Sequence, residues 1–120
     1  MKIIIGYPPT ESKKGIALLS QNRQFQWFSN PSYLFPVILG GAVTLLKKNG
    51  HEVLWIDSIA EKINWDKFVK ILKNERPDIF AFETKTPVIK QHWKIINILK
   101  ERFPEMRIVI MGDHVTSFPK

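Results

Sequence analysis

With 120 residues, 44% of them hydrophobic and 12% aromatic, the chain has the makings of one compact domain with a real core, which argues against intrinsic disorder. It contains no cysteine, which excludes disulfides, zinc–thiolate sites, iron–sulfur clusters and thiol nucleophiles within these residues and suits a reducing cytoplasm. A net charge of +7 brings nucleic acid or an acidic surface into view as a partner. Yet the lysines are scattered through 47, 48, 62, 67, 70, 73, 90, 94 and 100 without interleaved aromatics, so solvated helix faces are expected and nucleic-acid binding is not.

The first predicted strand is Lys2 to Gly6, whose three isoleucines are too few for a signal peptide. From Tyr7 to Phe35 follow 29 residues without a clear period, where strand-to-helix connections usually take about 2 to 6. This stretch carries Tyr7, Phe25, Trp27, Phe28, Tyr33 and Phe35, with Pro8, Pro9, Pro31 and Pro36. It reads either as a cap packing aromatics over the sheet or as a lid or partner surface, with a short helix expected between Gly15 and Phe28. The next segment places Ile38, Ala42, Leu45 and Leu46 on one helical face and hands over at Gly50 to a strand. Its apolar run, Val37 to Leu46, is too short to span a bilayer, so a soluble, cytoplasmic protein is expected.

The second strand is Glu52 to Asp57, and the helix after it sets Trp65, Phe68, Val69 and Leu72 at i, i+3, i+4 and i+7. The third strand is Asp78 to Glu83. Thr86 and Pro87 read as the N-cap and first residue of a helix with an Ile89, Trp93, Ile96, Leu99 and Phe103 stripe, closed by Pro104. The fourth strand is Arg107 to Gly112. Continuous apolar strands alternating with helices predict an α/β, doubly wound (Rossmann-like or flavodoxin-like) parallel sheet of about four strands and three main helices. The first strand should be central, flanked by the second and third.

In such sheets ligands bind beyond the carboxyl ends of the strands, where the winding reverses. That selects Gly6, Tyr7, Pro8 and Pro9; Asp57 and Ser58; Glu83, Thr84, Lys85 and Thr86; and Gly112 to Thr116. The first turn, "GYPPTESKKG", lacks the glycine pattern of a dinucleotide site, and its two prolines remove amide donors that a phosphate loop needs. The acids of a phospho-accepting receiver are absent apart from Glu83. The three histidines have no metal-site spacing: His51 reads as structural, His92 as a boundary residue near one face of a helix, beside Trp93, and His114, beside Asp113 at the ligand edge, as a candidate contact. Gly40 and Gly41 suit either close helix packing or ligand clearance.

"IIIGYPP", "PVILGGAVTLLKKNGHEVLWIDS", "NERPDIFAFETKT" and "IVIMGDHVTSFP", in that order and covering nearly the whole chain, resemble the N-terminal cobalamin-binding domain of cobalamin-dependent radical S-adenosylmethionine proteins. That group includes the anaerobic magnesium-protoporphyrin ester cyclases. The family writes two glycines, any residue, histidine, any residue, threonine and then a proline in the closing loop. Here Gly112, His114, Thr116 and Pro119 match, Met111 stands for the first glycine and Asp113 for the usual proline. The resemblance implies a module, residues 1–120, that holds cobalamin at the carboxyl edge through Tyr7, Pro8, Pro9, Glu83, Thr84, Gly112, Asp113, His114 and Thr116. It implies no lower-ligand histidine, because the first turn has none.

The resemblance also implies that the iron–sulfur cluster, S-adenosylmethionine and the small-molecule substrate belong to a downstream radical domain. No catalysis is then expected of this stretch alone, and the domain is expected to be incomplete, its closing loop poorly held. A cofactor-less docking or regulatory domain, favoured by Met111 and Glu83, is the alternative.

Overall fold

A computed structural model of the protein describes residues 1–19, 26–29 and 35–119. In chain order the elements are β1 (Lys2–Tyr7), β2 (Ile16–Leu18), β3 (Gln26–Phe28), α1 (Val37–Lys48), β4 (Glu52–Asp57), α2 (Trp65–Glu75), β5 (Ile79–Glu83), a 3₁₀ turn (Thr86–Val88), α3 (Ile89–Arg102), β6 (Arg107–Met111) and α4 (Asp113–Ser117). Strands β4, β1, β5 and β6 form one parallel sheet in that order, with β1 between β4 and β5 as expected. The fold is therefore α/β and doubly wound.

The period of two divides the strand side chains between two cores. Ile3, Ile5 and Tyr7 pack with Leu39 and Val43 of α1, Val53 and Ala81 on one face. On the other, Ile4, Phe80 and Phe82 meet Phe68 and Leu72 of α2 and Ile95 and Leu99 of α3. Phe68 meets Phe80 edge-on and Phe80 stacks on Phe82, with ring centroids 5.5 and 5.1 Å apart, and each buried ring contributes about 1.5–3 kcal/mol. The winding reverses between β1 and β5, because α1 crosses one face to reach β4 while α2 crosses the other to reach β5.

Four local expectations change. The segment after β1 holds an antiparallel hairpin, β2 against β3, in place of a helix: Ala17 and Leu19 are buried in the α1-side core and Trp27 packs against it. Phe25, Pro31 and Tyr33 lie outside the described residues. In α1 the sheet takes Leu39 and Val43, with Ala42 and Leu46 beside them, while Ile38 and Leu45 stay exposed. A helix apolar at nearly every position has no period to choose its buried side. In α3 the buried stripe is Ile89, His92, Ile95 and Leu99, and Trp93 is 46% exposed, because His92 occupies a core position. Thr86 does not cap α3; the helix enters through the 3₁₀ turn, with Pro87 at its start and no side-chain cap.

The nine scattered lysines are all exposed. Among the described residues no helix is long and apolar enough to cross a membrane.

Gly6 fixes the spacing of β1 and its edge neighbour β4. A Cβ there would lie 1.6 Å from the Ile56 carbonyl oxygen, which is backbone and has nowhere to move. Gly6→Ala is expected to cost at least about 3 kcal/mol in urea unfolding at constant m-value, whereas Gly41→Ala, with open space around it mid-helix, should stabilise by about 0.5–1 kcal/mol. Equal midpoints for the two variants would overturn this account of β1.

Candidate functional site

Four strand ends meet at the carboxyl edge of the sheet, and backbone bonds tie neighbouring ones in pairs. Ser58 N–H donates to the Tyr7 carbonyl (3.1 Å) and Thr84 N–H to the Met111 carbonyl (2.9 Å). The Tyr7 hydroxyl donates to Glu83 Oε2 at 3.1 Å, joining the ends of β1 and β5 across the winding reversal. Tyr7 is only 2% exposed. Its burial pushes the phenol well above its ordinary value, helped by the Glu83 charge and by Asp57. Burial also raises the Glu83 carboxyl, with Asp113 adding to the rise, while the Lys85 charge and the Tyr7 hydrogen bond oppose it. Asp57, at the end of β4, is raised by burial although its Oδ1 accepts the Ile59 and Ala60 N–H groups.

Beneath the edge runs a buried chain of hydrogen bonds. The Thr10 hydroxyl donates to the Pro8 carbonyl (3.1 Å), so its oxygen accepts from His92 Nε2–H at 3.1 Å. His92 Nδ1 is then unprotonated and accepts from the Thr84 hydroxyl at 2.7 Å. The network thus assigns the tautomer, and it pins the turn after β1 to the turn after β5 through α3. His92 is 0% exposed, with its ring edge-on to Phe82 at 5.2 Å.

The closing loop forms a short helix, α4, against β6. Gly112 has φ +110, and a Cβ there would meet the Thr84 carbonyl oxygen at 2.6 Å and Glu83 Cγ at 2.9 Å. Thr116 donates from both its N–H and its hydroxyl to the Gly112 carbonyl. His114 Nδ1 lies 3.0 Å from the Thr86 hydroxyl and its ring 5.3 Å from Phe118. The bond to His114 engages the hydroxyl that would otherwise have capped α3.

A cavity of about 210 Å³ opens here, walled by Ile38, Leu39, Glu83, Met111, Gly112 and Asp113. The structure thus gathers Glu83, Gly112 and Asp113 around one opening, with Tyr7 bonded to Glu83 behind it. His114 stands on the neighbouring helix and turns toward Thr86. Pro8, Pro9 and Thr84 are buried below, the Thr84 hydroxyl spent on His92, and exposed Thr116 bonds its own turn. Sequence reasoning missed His92, Thr10 and the Ile38–Leu39 wall. Only the eight-residue spacing from Thr84 to His92, which spans the 3₁₀ turn and the first turn of α3, hints at the first. Among the described residues no group of three metal-ligating side chains converges.

The chain is similar to an uncharacterized methyltransferase of Pyrococcus horikoshii, 27% identical over 120 residues, which is all of this chain and 23% of that protein. The chain therefore spans about a quarter of the relative's length. No family profile matches it, and no solved structure does.

Burial holds His92 down to about 4, below the ordinary value of 6.5. The folded state then binds fewer protons than the unfolded chain between these values, so the histidine's contribution is complete above pH 6.5 and is lost as pH falls toward 4, on the order of 3 kcal/mol. Asp57 and Glu83, both raised, act in the opposite sense in the acid range. The His92 Cε1 proton signal is expected to stay flat from alkaline pH down to about 5. A midpoint near the ordinary histidine value would overturn the relay.

Proposed function

We propose that this domain is a cofactor-binding module, the cobalamin-binding part of a methyl-transferring radical S-adenosylmethionine enzyme, without catalysis of its own. The observation that carries the reading is the cavity beside the winding reversal, at the ends of β5 and β6, where Glu83, Gly112 and Asp113 meet with Tyr7 bonded to Glu83. Support also comes from the relative, which is named a methyltransferase. A corrinoid supplies a cobalt centre able to carry a methyl group.

The residues suit such a cofactor. A corrin rim is neutral, studded with amide and methyl groups, and the edge sets the Glu83 and Asp113 carboxyls, as acceptors for amide N–H, beside apolar Ile38, Leu39 and Met111. The proton affinity of Glu83 is already raised, which lowers the cost of covering it. His114 has Nδ1 engaged by Thr86, so Nε2 is the nitrogen left to meet a ligand. The turn after β1 offers no histidine as a lower ligand. With no cysteine in the chain, an iron–sulfur cluster and S-adenosylmethionine would belong to a partner radical domain of the same protein, which would also meet the substrate.

A second reading, a cofactor-less docking or regulatory domain, has its own observation. Phe35, Val37, Ile38 and Leu45 expose an apolar surface along α1, and the Glu83 side chain already fills the space beside Gly112. Hydroxocobalamin discriminates between the two. It is expected to co-elute with the protein in gel filtration with a shifted visible spectrum, and Gly112→Val, which drives a branched side chain into the Thr84 carbonyl and Glu83, should abolish retention. Cofactor that passes through unretained by the wild-type protein sinks the cobalamin reading and leaves the docking one.

A further inference from the structure

We propose a second ligand site, on the β4 side of β1 and separate from the opening beside the winding reversal, that takes the oxyanion of a small organic molecule, a phosphate or a carboxylate. A cavity of about 460 Å³ lies between the turn after β1 and the turn after β4. Ser58 stands on its wall, 3% exposed, and among the described residues its hydroxyl has no hydrogen-bond partner. The Ser58 backbone is fully used, its N–H by Tyr7 and its carbonyl by Ile63. A buried hydroxyl left unpaired destabilises the free protein, and a site that keeps one has a use for it when filled.

Several side chains of the wall still have a proton to give. Ser12 Oγ accepts the Lys14 N–H, which leaves its proton to give. Asn64 Oδ1 accepts the Lys67 N–H, which leaves its amide NH₂. Thr10 has no proton left to give, because its hydroxyl donates to the Pro8 carbonyl. Lys62 adds an exposed ammonium on the rim, and Glu11 is the single acidic side chain of the lining. Three neutral donors and a cation suit an oxyanion, while Ile59 and Ile63 offer apolar surface to the body that carries it. Nothing in this depends on what binds beside the winding reversal.

The test titrates the full chain in a phosphate-free buffer with inorganic phosphate and, separately, with acetate, following backbone amide NMR signals. Saturable shifts centred on Ser58, Lys62 and Asn64 are expected with at least one probe, and the probe that saturates distinguishes phosphate from carboxylate chemistry. Ser58→Ala is expected to raise the melting temperature of the ligand-free protein by about 4 °C and to weaken the saturating probe about ten-fold. Lys62→Gln should weaken binding comparably without the thermal gain. No saturation by either probe below about 50 mM overturns the proposal. So do shifts spread evenly over the surface lysines and indifferent to Ser58→Ala, and so does a Ser58→Ala protein that melts lower than the wild type.

Discussion

The carbonyl of Ile56 occupies the place where a side chain at Gly6 would stand, and the rest of the structure is arranged around that contact. It lies near the carboxyl end of the β1–β4 pair, where Gly6 faces Ile56 and Tyr7 faces Asp57 in register. A larger residue would part the two strands at the level from which both functional turns spring. Because β1 is paired on both edges and covered on both faces, its path leaves the turn after it little freedom. The position of Tyr7, and through it the Glu83 bond, follows from that restriction.

A layer of polar contacts lies between this core and the surface. Asp57 caps its own turn, Tyr7 holds Glu83, and His92 sits between two threonines. Each group would be costly to bury alone, and each is buried with a partner. The result is a preorganised edge: the turns after β1 and β5 are joined by side chains at two depths, and the loop after β6 is locked onto β5 by the close approach at Gly112. Ser58 departs from the pattern within the same layer. Its lack of a partner is informative because its neighbours are so fully matched.

The strands, their parallel arrangement and the central place of β1 were legible because continuous apolar runs broken by glycine and proline admit little else. The edge residues were legible for the same reason, since topology alone assigns the turns after β1, β4, β5 and β6. Helix faces were not. In α1 nearly every position is apolar, so packing on the sheet, and not period, chose Leu39 and Val43 over Ile38 and Leu45. In α3 a histidine took a core position that the apolar pattern gave to Trp93, which required two threonines, one of them, Thr10, 82 residues away in the chain. The hairpin after β1 was hidden because its two strands are three residues each and owe their pairing to the core beneath them.

The openings on either side of β1 make opposite chemical demands. Beside the winding reversal the polar wall consists of acceptors, Glu83 and Asp113, and burial has already raised the proton affinity of the first. On the β4 side the uncommitted groups are the Ser58, Ser12 and Asn64 donors, with Lys62 at the rim. A ligand rich in N–H groups is favoured in the first opening and repelled by the second, and the reverse holds for an oxyanion. The same strand that separates the two cores therefore also separates two selectivities, and the Thr10–His92–Thr84 relay, whose first residue lines the donor-rich cavity and whose last lies under the acceptor-rich one, holds them at a fixed spacing.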